Sequence, residues 1–214
     1  MAVPTTSLVL LTNVSTEFQS SSEVSFTDAD TITTVEAIIQ DITGMIEGGH
    51  VGIDRRVIVR QYTQYTKRED WTWDASRDKY VTRSEQWPIV EIDTSGITSD
   101  VSDEQTEANL FLSASRHQAA ITYYAGYRRS EQTLADLQTI LPSLSVLPGK
   151  MPNEIRGAAI EGVIYKLFER RHGPGVSDKL LNPAIQQVVL QGVRPNHIED
   201  MFRDRLHHLK RMTA

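Results

Sequence analysis

The chain has no cysteine. It can therefore form no disulfide, use no thiol nucleophile and hold no cysteine-ligated zinc or iron–sulfur cluster. It also lacks any run of about 18 apolar residues, the length that a membrane-spanning helix needs. A secretory signal has basic residues ahead of its apolar run, whereas the short apolar run at 8–11 has none. We therefore expect a soluble protein that is not secreted and does not enter a membrane.

An excess of positive charge is also missing. The 214 residues have a formal net charge of −6, with 39% hydrophobic and 23% charged side chains, an ordinary globular composition. An acidic chain of this kind argues against nucleic-acid binding through a broad basic surface. Residues 194–214, however, carry five basic and three acidic residues, a balance of +2 that leaves −8 on the remainder. A basic tail on an acidic body predicts a docking extension.

Catalytic motifs are equally scarce. The six histidines are scattered, and the adjacent pair His207 and His208 would point about 100° apart on a helix, too divergent to chelate one metal. The Gly-Pro-Gly break at 173–175 lacks the Lys-Ser/Thr ending of a phosphate loop and is better explained as a helix terminator. Ser130 has no nucleophile-elbow sequence around it and suits a helix N-cap. The sequence predicts no enzyme, no cofactor, no metal site and no catalytic residue.

Helical spacing of apolar residues is clear in several segments. Between Thr31 and Gly49, isoleucine and valine recur on one face, Thr33 and Glu36 suit a capping box, and Gly48 or Gly49 can end the helix. Further helices are predicted at 5–18, 130–141, 152–172 and 195–212, the third with Pro152 in its first turn.

The strands are predicted between these helices. Residues 55–66 and 80–85 are rich in β-branched and aromatic residues, and the polar stretch between them suggests a long hairpin with a decorated tip. Further strands are predicted near 87–93, 109–113 and 119–127, the last ending at Gly126, where the chain can turn. Because the strands are grouped, we expect an α+β fold: a small helical bundle with a few-stranded antiparallel sheet or long β-hairpin, plus an extended C-terminal arm ending in a helix. The expected boundaries are 1–175 for the core and 176–214 for the arm.

Two tryptophans stand close together on the predicted hairpin. Trp71 and Trp73 would share one side of an extended segment, with Arg68 and Arg77 nearby. They could pack on their own sheet, or they could anchor an interface, where Trp and Arg are enriched.

The last helix poses a similar choice, because its amphipathic face could fold back on the core or enter a partner's groove. Its position beyond the break at 173–175 and its opposite charge favour a partner.

Several short motifs, taken in order, resemble a known family. They are the helix "EAIIQDITGMIEG" followed by "DRRVIVRQYT", the "WPI" stretch at 87–89, the strand "ITYYAGY" at 121–127, and the helix opening "MPNEI" at 151–155. Between Thr31 and His172 the chain resembles the head–tail connector family of tailed bacteriophages, the adaptor that forms a ring beneath the portal. The chain departs from the family pattern in the segment 128–150, which intervenes between strand and helix, and in its longer tail.

The resemblance implies a structural virion protein of the head–tail interface, present in the host cytoplasm during assembly. It implies a homo-oligomeric ring, twelve-fold like the portal, that docks to the portal protein on one side and to a downstream neck, stopper or tail protein on the other. Genomic DNA would pass through the ring without specific binding, and acids on the first long helix would line that channel: Glu36, Asp41 and Glu47. Neighbour or tail contacts would fall to Trp71, Trp73, Arg68 and Arg77. The portal-docking hypothesis is that four apolar side chains of the last helix bury into the portal and that four basic side chains steer the approach. The apolar residues are Met201, Phe202, Leu206 and Leu209, and the basic residues are Arg203, Arg205, Lys210 and Arg211.

Other readings stay open. The nearest is another neck component, such as a stopper or a tail terminator. A DNA-binding regulator using the basic last helix would show salt-dependent affinity. A small enzyme with a site assembled from distant residues is the third, and no motif supports it.

Overall fold

The computed structural model describes residues 7–18, 29–48, 52–93, 101–105, 108–112, 119–172 and 197–211. The chain divides into two compact units. The helical unit combines the two ends of the chain, Met1–Arg55 and Pro152–Ala214, and the sheet unit is the continuous middle, Arg56–Met151. Only 197–211 of the expected arm is described, so a boundary at residue 175 stays a prediction.

The α+β class is confirmed. In the described ranges the helices are α1 Leu11–Phe18, α2 Ala29–Glu47, α3 Leu134–Gln138, α4 Asn153–His172 and α5 His197–Arg211. The helical unit contains all of these except α3, and within it α4 contacts α1, α2 and α5. None of the helices in the described ranges is both long and apolar enough to cross a membrane.

Helix α2 forms because its apolar residues recur at helical spacing. Val35, Ile39, Ile42 and Ile46 are all fully buried, and each such side chain contributes about 1.5–3 kcal/mol when removed from water. The helix ends at Glu47, directly before Gly48, as predicted. The predicted capping box at Thr33 is wrong, because the helix has already begun at Ala29. On α4 the facing stripe is also buried: Ile155, Ala158, Ala159 and Val163.

The sheet unit holds two antiparallel sheets. Its strands in the described ranges are β1 Arg60–Thr66, β2 Thr72–Asp74, β3 Lys79–Arg83, β4 Ile89–Ile92, β5 Val101–Gln105, β6 Asn109–Leu112 and β7 Ala119–Ala125. One sheet has the order β1-β7-β4 and the other β2-β3-β6-β5.

The predicted long hairpin is not formed as expected. β1 pairs with β7, for example Thr63 opposite Thr122, and not with β3. A 3-10 turn at Arg68–Asp70 interrupts the chain after β1, and β2 and β3 then form a short hairpin of their own in the second sheet. The sequence signalled both strands correctly, but strand pairing depended on β7, which lies more than fifty residues further along.

The sheet β1-β7-β4 buries its two faces differently. On the inner face, Ile121, Tyr123 and Ala125 of β7 join a cluster with Trp71 and Leu110. On the outer face, Tyr124 packs with residues of α3 and of the loop after it, in a second cluster with Val59, Leu137 and Leu144. The other end of the outer face carries exposed residues: Thr63, Tyr65 and Ala120, with Thr122 half-buried.

β7 ends where the sequence predicted. Gly126 has a φ of +118°, in the region that favours glycine. A Cβ there would lie only 2.8 Å from the carbonyl oxygen of Val57. The turn therefore needs a glycine for both backbone angle and space.

Candidate interaction surfaces

Burial and local hydrogen bonds displace the pKa values of five titratable side chains. Burial raises the pKa of Tyr123 and of Tyr124, and burial lowers the pKa of Arg129. Hydrogen bonds from neighbouring residues lower the pKa values of Asp74 and Asp136, both at the surface. Displaced pKa values can mark a catalytic site, but these five reflect packing and turn formation. Among the residues that the structure describes, no three histidine or acidic side chains are grouped to hold a metal ion.

Helix α5 packs closely on the chain's own α4. Phe202 and Leu206 are fully buried. The ring of Phe202 lies over Gly162, where an added Cβ would be 2.8 Å from its Cζ and 3.1 Å from Cδ1 of Ile42. Of the two arrangements that the sequence left open, the structure has the helix folded back. Docking of Phe202 and Leu206 into a partner would require α5 to leave this position.

The basic residues of α5 divide into a packed and an exposed set. Arg205 donates a hydrogen bond from Nη1 to Oε1 of Glu161 at 2.8 Å, tying α5 to α4. Arg203 is exposed and pairs with Asp200 one turn earlier, at 2.9 Å. The remaining predicted docking residues lie on the helix, with side chains outside the described part: Met201, Leu209, Lys210 and Arg211.

The three acids predicted to line a channel differ in exposure. Glu36 and Glu47 are 8% and 6% exposed on α2, whereas Asp41 is exposed. The prediction had placed all three on the polar side of the helix. A carboxylate must reach the channel to repel DNA. Of the three acids, only Asp41 has an accessible side chain and meets this requirement.

The tryptophan pair is split between core and surface. Trp71 is 7% exposed and belongs to the cluster under the inner face, whereas Trp73 is 48% exposed. The expectation that both face the same side is wrong, because Trp71 lies before β2 begins, where strand alternation does not apply. Trp73 contacts Tyr80 edge to face, with ring centroids 4.9 Å apart.

Arg77 lies on the same hairpin, next to an aromatic ring and a carboxylate. Arg77 is exposed, sits 4.7 Å above the ring of Phe111 and lies 3.8 Å from a carboxylate oxygen of Asp74. The side chain of Arg68 lies outside the described part of the structure. Trp73 and Arg77 therefore give the hairpin an exposed aromatic and cationic surface.

The segment 128–150, which we call the insertion, lies between β7 and α4. Arg128 closes it at the base, with its backbone bonded to Gly149 and Met151 and its guanidinium donating to the carbonyl oxygens of Pro148 and Gln132. Helix α3 is the helical part of the insertion, and it is shorter than predicted.

The N-cap of α3 is Thr133, not Ser130. The backbone N–H of Asp136 donates to the hydroxyl of Thr133, and the N–H of Thr133 donates to the carboxylate of Asp136, a complete capping box. Ser130 instead donates to the neighbouring Glu131. The spacing of Thr133 and Asp136 was visible in the sequence and was the better signal.

The loop after α3 is fixed to strand β4 by one carboxylate. Glu91 accepts hydrogen bonds from the backbone N–H of Ser145 at 2.7 Å, from the hydroxyl of Ser145 at 2.6 Å and from the N–H of Val146 at 3.0 Å. Gln138 also donates to the carbonyl oxygen of Leu144 at 2.8 Å. These bonds hold the loop in one conformation on the sheet.

This fixed loop exposes large aliphatic side chains. Ile140, Val146 and Leu147 are 47%, 48% and 44% exposed, and together we call them the apolar loop. Sequence reasoning did not single them out, although three large aliphatic residues within a proline-containing loop were a visible signal. An exposed apolar group on a rigid support is typical of an interaction surface.

Comparison with known proteins identifies no family for this chain. No protein-family model matches the sequence, and no curated protein matches it significantly. Among solved structures, the chain is similar to one from the neck of an empty GTA particle, computed with C6 symmetry, with 13% identity and a TM-score of 0.44 over 96% of this chain and 92% of that chain. At this identity and score the likeness carries no argument about what this chain does.

Proposed function

We propose that the chain is a structural subunit of the neck of a tailed-phage particle, an adaptor whose copies form a ring beneath the portal. The observation that carries the proposal is the ordered set of motifs between Thr31 and His172 that resembles the adaptor family. These motifs coincide with framework elements. They include α2, β4 after "WPI", the central strand β7 and the start of α4.

The surface of the described residues supports a role in assembly. Its exposed large hydrophobic side chains are Tyr65, Trp73 and the apolar loop, all on the sheet unit. A ring closed by head-to-tail contacts needs two different complementary patches on every subunit. Weak individual contacts suffice to seat such a ring on its neighbours, because linked copies bind with a high effective concentration.

Portal docking is assigned to helix α5 through its exposed basic side. Arg203 is accessible without any rearrangement, whereas Phe202 is enclosed by the chain's own α4. In this proposal the hairpin with Trp73 and Arg77 meets a neighbour or a downstream neck protein. DNA passes through the ring past acids such as Asp41, because like charge keeps the duplex mobile.

Cosedimentation with portal rings of the same particle, followed by electron microscopy of the pellet, tests this function. The full-length chain should pellet with the portal as a ring stacked on its axis. Arg203→Glu should weaken that binding, since it reverses an exposed charge without touching the buried side of α5. Arg170→Glu, an equal charge change at an exposed position of α4, is the matched control and should bind normally.

Each other outcome has a distinct meaning. Stacking below a different neck protein would identify a stopper or terminator instead of an adaptor. Failure to bind any neck protein, combined with affinity for duplex DNA that falls steeply with salt, would replace the proposal with the regulator reading.

A further inference from the structure

Helix α5 is held on α4 through one face. The ring of Phe202 fills the gap over Gly162, and Leu206 is fully buried. Nη1 of Arg205 donates to Oε1 of Glu161 at 2.8 Å. Because α5 follows every other described element in the chain, it can be seated or removed without threading another segment. The gap at Gly162 is therefore a groove whose occupant is known.

The two helices run in opposite directions, so the start of α5 lies near the end of α4. Phe202 lies over Gly162, whereas Arg205, further along α5, reaches Gly157, earlier on α4. α4 ends ten residues after Gly162, and α5 begins five residues before Phe202. With a rise of 1.5 Å per residue and about 9 Å between the axes, those two ends are about 12 Å apart. About four extended residues would close that gap, and connections between packed helices commonly have about 2–8 residues.

The connection between α4 and α5 is much longer than this gap needs. It comprises the 24 residues 173–196, and a chain of that length reaches up to about 80 Å. It opens with Gly173, Pro174 and Gly175, a sequence that does not continue a helix. A compact unit with as many residues as the helical unit is about 35 Å across. The connection is therefore long enough to carry α5 to the same groove on an adjacent copy.

Seating α5 on an adjacent copy would preserve every contact that holds it. Phe202 would meet the same gap at Gly162, and Arg205 the same carboxylate of Glu161. Exchange of an identical element between copies is a low-cost route to association, because no new interface has to be built. Each copy gives one α5 and receives one through different surfaces, which is the head-to-tail relation that closes a ring.

We infer that α5 of one copy occupies the groove at Gly162 on α4 of the next copy in the assembled ring. The exchange rests on the proposed function, because the ring supplies the adjacent copy. It joins the two arrangements that the sequence left open, since α5 packs on α4 and also binds a partner, which is another copy of this chain. Arg203 remains on the exposed side of α5 in either case.

Site-specific cross-linking distinguishes a helix on its own chain from a helix on the next one, and the absence of native cysteine makes each introduced thiol unique. Glu161→Cys and Arg205→Cys suit the test because these side chains touch and are 32% and 39% exposed. The two single variants of the full chain are mixed, assembled on portal rings or kept as concentrated free protein, and treated with a short bismaleimide. The expected product is a dimer that contains one copy of each variant. Neither variant alone should give a dimer.

The chain that carries both substitutions gives a second readout. As dilute free protein it should give a link within one chain, seen as a shifted monomer band on a denaturing gel. On portal rings it should give a ladder of covalent multimers. Arg203→Cys is the matched control, because it lies two residues away on the exposed side of α5 and should not cross-link to Glu161→Cys in either setting.

The outcomes separate this inference from the proposed function. Portal-bound rings in which the double variant gives only the internal link would overturn the inference and leave the neck role standing. Loss of all links on assembly would show that α5 leaves α4 for a different partner and would also overturn the inference. Mixed dimers of a chain that never binds the portal would support the exchange and remove the adaptor role.

Discussion

Replacing glycine by alanine should change stability in opposite directions at two positions of α4. A Cβ at Gly162 would lie 2.8 Å from Cζ of Phe202 and 3.1 and 3.2 Å from two carbons of Ile42. A Cβ at Gly157 would meet only Nη1 of Arg205, at 4.0 Å. Alanine therefore fits at Gly157 in ordinary contact, whereas at Gly162 it enters space that α5 and α2 already occupy.

The expected magnitudes follow from these distances. Replacing glycine by alanine inside a helix stabilises it by about 1 kcal/mol, and Gly157→Ala should keep roughly 0.5–1 kcal/mol of that gain. At Gly162 the ring carbon must retreat to about 3.5 Å, and overpacking of this kind costs about 1–3 kcal/mol. Gly162→Ala should therefore be destabilised by about 0–2 kcal/mol in net terms, and α5 should be the element that loosens.

Hydrogen exchange resolved by peptide is the assay of choice, because two units need not unfold in one transition. Exchange in 197–211 should become faster in Gly162→Ala and stay slow or become slower in Gly157→Ala. Urea denaturation of both variants gives the accompanying change in free energy of unfolding. If Gly162→Ala stabilised the chain as much as Gly157→Ala, the close packing of Phe202 on α4 would be refuted.

Three further predictions concern the sheet unit. Trp71→Ala should destabilise it by about 3–5 kcal/mol because the substitution leaves a cavity at a buried site. Trp73→Ala should cost about 1 kcal/mol or less, because the side chain is half exposed. Thermal unfolding measures both, and equal effects would contradict the split between core and surface. Acid should loosen the start of α3, because hydrogen bonds from Thr133 hold the pKa of Asp136 below its usual value. The stabilisation is complete above the ordinary carboxyl pKa of about 4. It is lost as the pH falls through the lower pKa of the folded state. Amide exchange at 134–138 should show this acid dependence. Thr133→Ala, which also costs about 0.5–2 kcal/mol, should weaken the dependence without removing it, because the backbone N–H of residue 133 still donates to Asp136. Glu91→Gln should release the apolar loop at a cost of about 1–3 kcal/mol, seen as faster exchange of the amides at 145 and 146; unchanged exchange would show that the carboxylate does not hold the loop.

Local signals in the sequence predicted most elements. The spacing of isoleucines in α2, the end of that helix before Gly48 and the end of β7 at Gly126 are all decided by residues within one or two turns. The start of α3 was misplaced at Ser130 because a single serine was preferred over the paired signal of Thr133 and Asp136. A paired signal satisfies two backbone donors at once and is the stronger one.

Long-range pairing was beyond the sequence. β1 has the composition of a strand whichever partner it takes, and its pairing with β7 is fixed by Tyr62 and Gln64 lying opposite Tyr123 and Ile121 on the buried face. The same holds for α5, since an amphipathic helix has the same stripe whether it folds back or binds a partner. The deciding residue is Gly162, a gap on another helix.

The inserted position of the sheet unit has a consequence for synthesis. Helices α1 and α2 leave the ribosome before the middle of the chain, but α4 and α5, which complete their core, come after it. At about 5–20 residues per second, the roughly 100 residues between them take about 5–20 s to make. Throughout that interval α2 can contact α1 but lacks α4, while the continuous middle can already fold. The sheet unit is thus free to become structured first, and the helical unit closes only after α4 and α5 have been made.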